Sequence, residues 1–170
     1  MMLKIKTITE LKTLQREPVD SETYATAVEI VEHVRKGGRN ALLQEAERLG
    51  DITSGQRIAY DRAALALAVQ ELGDHERGVL ERTAQRIREF AQGQRGCLRD
   101  FEIEIPGGRA GHVFTPVDSA GRYAPGGRFS LPSTVLMTTV TARVAGVERI
   151  MVASPRPTPV TLAAAGIAGA

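Results

Sequence analysis

The sequence predicts an α/β protein: an N-terminal helical segment, then a β-hairpin, then the start of a parallel-sheet α/β domain that is truncated where the chain stops. Three observations carry this. Residues 21–91 repeat apolar side chains at a spacing of about 3.6 residues, "FEIEI" at 101–105 alternates strictly, and residues 132–170 read as helix, short apolar strand and helix. The expected division is a helical region over 1–96 and a hairpin with an incomplete α/β domain over 97–170.

In residues 21–36, Tyr24, Ala27, Val28 and Val31 recur at i, i+3, i+4 and i+7, with Asp20 or Ser21 as N-cap and Gly37–Gly38 as stop. A second helix over 40–49 carries Leu42, Ala46 and Leu49 as its buried stripe, closed by Gly50. Asp61 caps a third, whose Leu65, Ala68, Val69 and Leu72 share one face before Gly73. The fourth starts at Asp74, with Glu76 in the first turn where the helix dipole favours negative charge, and its stripe is Leu80, Ala84, Ile87 and Ala91. Arg82, Arg86, Arg88, Glu81 and Glu89 on its other faces read as solvated ion-pairing partners.

After Gly93–Gly96 the period changes. Phe101, Ile103 and Ile105 fall on one face and Glu102 and Glu104 on the other, as in a half-buried antiparallel strand. "PGG" at 106–108 makes the turn, and "RAGHVFTPV" the returning strand. Pro132 opens a helix that runs to Gly146, "RIMVAS" at 149–154 reads as a strand covered on both faces, and Thr158 or Pro159 starts a last helix. A parallel sheet needs more strands than this to bury itself, so the expectation is an N-terminal fragment or a naturally truncated protein.

Composition excludes several function classes. The 22 basic and 20 acidic residues are interleaved, and three Tyr and four Phe offer few rings for stacking on bases, so no nucleic-acid footprint is present. The N-terminus lacks an apolar core of signal-peptide length, and the longest apolar stretch, 135–147, is broken by Arg143 and threonines, which excludes a membrane span. A single cysteine, Cys97, rules out an internal disulfide and suits a reducing compartment.

His33, His75 and His112 stand apart, without a second ligand at metal-binding spacing, and read as surface or structural histidines. No nucleophile elbow, Walker lysine or Rossmann glycine pattern occurs. The one stretch where several features agree is "GRYAPGGRFSLPSTV" at 121–135. Gly126 and Gly127 let backbone approach a ligand, Pro125 fixes the approach, Tyr123 offers a ring and a phenol, and Ser133 and Thr134 sit at a helix N-terminus. By pattern alone this is either an ordinary turn or a ligand cradle.

The run "SAGRYAPGGRFSLPSTVLMTTVTARVAGVERIMVASP" resembles the histidinol dehydrogenase family, whose pattern is Gly-x-Tyr-x-Pro-Gly-Gly, then Pro-Ser-(Ser/Thr)-Val-Leu-Met, then Ala-x-x-Ala-Gly-Val before a strand ending in Ser/Cys-Pro. The likeness extends weakly along the whole chain. It implies two similar α/β domains with peripheral helices, a cytoplasmic homodimer, one zinc ion per site, and NAD-dependent oxidation of L-histidinol to L-histidine through an aldehyde. It makes 97–170 part of a cofactor-binding domain, implies a contact from Tyr123 to NAD, and gives Pro125, Gly126 and Gly127 supporting places in the loop. The acid–base pair, the zinc ligands and most substrate contacts of the family fall after residue 170, so no catalytic or metal residue is assigned here and the chain alone is expected to be inactive. "EAERLGD" and Ala91 depart from the family at positions where an aspartate after an aromatic, and a histidine, are common. Alternative readings are a related zinc- and NAD-dependent alcohol dehydrogenase, a non-catalytic dimerisation module, and a simple nucleotide-binding module.

Overall fold

The structure, a computed structural model, describes residues 7–8, 19–126 and 129–170. The chain divides into two compact units, Met1–Ser54 and Gly55–Ala170.

The first unit contains helix α1 (Ser21–Arg48). Asp20 is its N-cap, accepting a 2.8 Å hydrogen bond from the Thr23 amide. Gly38 takes φ 57° and ψ −139°, a conformation that only glycine adopts freely, and so breaks this span into the two helices read from the sequence. A Cβ on Gly37 would lie 2.6 Å from the Ala41 Cβ, so the kink closes tightly over Ala41, the buried residue of this helix. The expected buried stripe is corrected here: Leu42 and Leu49 are exposed, as are Tyr24, Val28 and Val31. A non-helical residue at 38 resets the helical phase, so an apolar face counted across it does not continue.

In the second unit, α2 (Arg62–Glu71) is capped by Asp61, which accepts from the Ala64 amide at 2.9 Å. Its Leu65 and Ala68 are buried together with Leu72, and α3 (Asp74–Gly96) buries Leu80, Ala84 and Ala91, as their periodicity requires. Strands β1 (Phe101–Ile105) and β2 (Gly108–His112) form the antiparallel hairpin. Ile105 pairs with Gly108, so the turn is Pro106–Gly107, and Gly107 sits at φ 89° where a side chain would be strained. The half-buried face expected for β1 is not found, since every residue of both strands is exposed. Alternation separates two faces of a strand; it does not supply the element that covers one of them.

Strand β3 (Ser119–Tyr123) pairs in parallel with β4 (Arg149–Ala153), and α4 (Pro132–Val144) joins them. The sequence predicts no strand at 119–123, because "SAGRY" has neither β-branched residues nor alternation. The reading of β4 as covered on both faces is also corrected: Ile150 is buried, but Met151 on the opposite face is 63% exposed. Helix α5 (Pro159–Ala168) follows, capped by Thr158 and ended by Gly169 at φ 86°.

Helix α4 packs on β3 and β4 with one side and on α3 and α5 with others, while α5 also packs on α2 and α3. Val135, Leu136 and Val140 of α4 lie in the centre of the resulting core with Ala163 and Ala164 of α5. Each such aliphatic side chain contributes about 1.5–3 kcal/mol on leaving water. The alanines of α5 let its backbone come close: Gly166 would place a Cβ 3.0 Å from the Leu65 carbonyl oxygen.

Candidate functional site

Because β3 and β4 are parallel, both chains leave the sheet at the same edge. Tyr123 ends β3 opposite Ala153, which ends β4. In parallel α/β sheets, ligands bind in the crevice outside the carboxyl ends of the strands, and this is the edge at which Tyr123 leaves β3.

Pairing continues one residue beyond β3, with the Ala124 amide donating to the Ala153 carbonyl at 2.9 Å. Ala124 is 2% exposed and belongs to the core, so the backbone is anchored directly after Tyr123. The Tyr123 ring itself is 66% exposed. Along β3 the exposed positions alternate, with Gly121 and Tyr123 outward and Ala120 and Arg122 half-buried. Gly126 comes against Pro155 in the loop after β4, where a Cβ would fall 2.6 Å from the Pro155 carbonyl oxygen. Gly127 lies outside the described residues.

Ser133 and Thr134 occupy the first turn of α4, after Pro132. The N-cap, Leu131, has no side-chain acceptor for the first-turn amides; only the Thr134 and Val135 amides reach back to the Leu131 carbonyl, at 3.1 and 3.5 Å. Pro132 carries no amide hydrogen and the Thr134 and Val135 amides are taken by Leu131, so among the described residues the Ser133 amide is the first-turn donor left for an anionic group. These residues fit a cofactor that offers a ring to stack on Tyr123, which is exposed at the carboxyl end of β3, while Gly126 admits the backbone of Pro155 at close range.

Zinc does not fit the described residues, among which no group of three or more His, Cys, Asp or Glu side chains converges. His33 Nδ1 instead lies 2.7 Å from Glu45 Oε1, within α1. His112 packs between Phe101 and Phe114 with its Nε2 3.2 Å from the Arg99 carbonyl oxygen, and Cys97 is an exposed free thiol at the end of α3. A separate groove of about 1010 Å³, lined by residues that include Arg62, Glu81, Arg88 and Arg143, contains none of the residues at 121–135. Its Arg143 is already engaged with backbone carbonyls, so the strand-end loops remain the better site.

The loop after β4 is the part of the site that sequence reasoning missed. Its signal is spatial, since Pro155 reaches Gly126 only through the parallel pairing of β3 with β4.

Comparison with known proteins agrees with this architecture. The profile of the family described as histidinol dehydrogenase matches residues 14–170. A histidinol dehydrogenase from Nitrosomonas europaea is 36% identical over 155 residues, covering 88% of this chain and 36% of its own length. One from Haloarcula marismortui is 40% identical over 145 residues, covering 84% of this chain and 33% of its own length. The chain therefore spans about a third of the length of these curated relatives. The crystal structure of histidinol dehydrogenase from Elizabethkingia anophelis, 22% identical, has the same fold with a TM-score of 0.75 over 96% of this chain and 39% of that one. Among the described residues no helix is long and apolar enough to cross a membrane. On the profile match and these identities, the chain belongs to the histidinol dehydrogenase family, a family of oxidoreductases.

Proposed function

We propose that this chain serves the NAD-dependent oxidation of L-histidinol to L-histidine through L-histidinal, in histidine biosynthesis, and that its own contribution is part of the NAD site. The observation that carries this is Tyr123: an exposed ring at the carboxyl end of β3, held by the buried Ala124 and set beside the close-packed Gly126. Bound NAD would supply the hydride acceptor. Tyr123 would lay its ring or phenol against the cofactor, and the Ser133 amide at the start of α4 would face its negative charge. Pro125 and Gly127 have supporting places in the same loop. Neither the zinc ligands nor the groups that move protons are assigned to residues 1–170, so zinc enters this proposal as an ion held elsewhere in the enzyme. Residues 1–170 alone have no dehydrogenase activity on this reading.

The setting is cytoplasmic, in keeping with the exposed free thiol of Cys97. The partners are the small-molecule substrate and a second subunit, with neither nucleic acid nor membrane among them. Pairing of subunits as a homodimer is supported by the exposed Tyr24, Val28 and Val31 of α1.

The test is a titration of the chain with NAD. Saturable binding is expected, weakened about tenfold by Tyr123→Ala through loss of ring contact. Absence of saturable binding, or equal binding by the variant, would sink the cofactor reading. NADH formation from L-histidinol by residues 1–170 would sink the assignment of the chemistry to residues elsewhere.

A further inference from the structure

We propose that Pro155, through its contact with Gly126, is a positioning residue for Tyr123, so that the loop after β4 sets where the loop after β3 presents its ring. This rests on the reading of Tyr123 as a cofactor contact, but the geometry behind it is independent of any ligand.

A Cβ on Gly126 would lie 2.6 Å from the Pro155 carbonyl oxygen, 2.7 Å from its Cγ and 3.3 Å from its Cδ. The first is a backbone atom and the other two belong to a ring, so none of them moves aside cheaply. Gly126 is absent from the glycines at positive φ, so what it supplies is space rather than an unusual backbone angle. Gly121, two residues before Tyr123, has nothing within 4 Å of a Cβ position and would accept a side chain.

Pro155 makes a stiff wall. Its own φ is fixed by the ring, Pro157 follows closely, and Arg156 between them is held at φ 44°, a conformation that costs a non-glycine residue energy and needs its surroundings to maintain it. Tyr123, by contrast, has little packing of its own, with its side 66% exposed. Its backbone is fixed on one side by the strand pairing and on the other by the segment Ala124–Gly126, which ends on Pro155. Remove that end stop, and among the described residues the Ala124–Ala153 hydrogen bond is the backbone restraint that remains directly after Tyr123.

The chain has no tryptophan and three tyrosines, so with Tyr24→Phe and Tyr60→Phe its intrinsic fluorescence reports Tyr123 alone. Time-resolved anisotropy without NAD is the primary measurement. Gly126→Ala and Pro155→Ala are each expected to raise the amplitude of fast local motion about twofold, whereas Gly121→Ala leaves it unchanged. In an NAD titration the first two also weaken binding about tenfold, as a misplacement of about an ångström does. Unchanged anisotropy in Gly126→Ala, or an equal rise in Gly121→Ala, overturns the proposal. Should Gly126→Ala unfold, Pro155→Ala decides alone, since it removes ring atoms and adds no clash: unchanged anisotropy there overturns it. A parent chain that fails to bind NAD while Gly126→Ala still frees Tyr123 defeats the cofactor reading and supports the positioning one.

Discussion

Arg143, near the end of α4, donates through its guanidinium to the carbonyl oxygen of Gly169, the C-cap of α5. The same group donates to the carbonyls of Val147 and Glu148, at 3.1 and 3.0 Å, in the link from α4 to β4. One cation thus serves the carbonyl end of α5 and the chain reversal after Gly146, both places where helix geometry leaves carbonyls without partners. Replacement by methionine keeps much of the stem but removes all three charge-assisted bonds. Arg143→Met is expected to lower the unfolding free energy by roughly 2–3 kcal/mol in denaturant titration. Arg143→Lys should recover only part of this, because an ammonium cannot reproduce the planar fork. A loss below the error of the titration in Arg143→Met would show that these carbonyls do not depend on it.

A second stability prediction concerns Thr139. Its neighbours Thr138 and Thr141 donate their hydroxyls to the carbonyls of Thr134 and Met137, at 2.8 and 2.7 Å. Thr139 is fully buried, and among the described residues its Oγ1 has no hydrogen-bond partner. A buried hydroxyl without a partner costs desolvation energy that an isosteric methyl avoids. Thr139→Val is therefore expected to stabilise the chain by about 1 kcal/mol, read as a Tm rise of roughly 2–4 °C. A fall in Tm would mean that the hydroxyl is satisfied in solution.

These two residues also show where the sequence was informative. Helix α4 was legible from Pro132 and Gly146, and the caps were legible, Asp61 by itself and Asp20 and Thr158 each as one of two adjacent candidates, because short polar side chains before apolar periodicity suit a helix start. The faces of α2 and α3 were legible for a similar reason: Leu65, Ala68, Leu80 and Ala84 repeat without interruption. What periodicity could not report was the partner of a face. Ile103 and Ile105 alternate as a covered strand would, yet both are exposed. Strand β3 was hidden because Ser119, Ala120 and Gly121 carry no strand preference of their own, and its pairing is made by β4, on the far side of a whole helix. The chemistry followed the same division. The stretch that holds Tyr123 stands out through its motif, whereas Pro155 is brought against Gly126 only by the parallel pairing of β3 with β4.

The kink in α1 carries a pH prediction. His33 and Glu45 lie on opposite sides of Gly38, and their contact of 2.7 Å spans the break. Glu45 also accepts from Arg48 Nε at 2.8 Å. The hydrogen bond from His33, and after it that from Arg48, hold the Glu45 carboxyl below its ordinary value, with desolvation acting the other way. A carboxylate whose folded pKa is depressed contributes stability that is fully present above its unfolded pKa and is lost as pH falls through the folded one. The contribution of Glu45 is thus complete above the ordinary carboxylate range and disappears on the acid side of it. An NMR titration of the Glu45 side chain should give a midpoint below that of a free glutamate. His33→Ala and Arg48→Ala should each raise that midpoint, because each removes a hydrogen bond that holds it down. Equal midpoints in the parent and His33→Ala would show that the clasp across Gly38 does not form in solution.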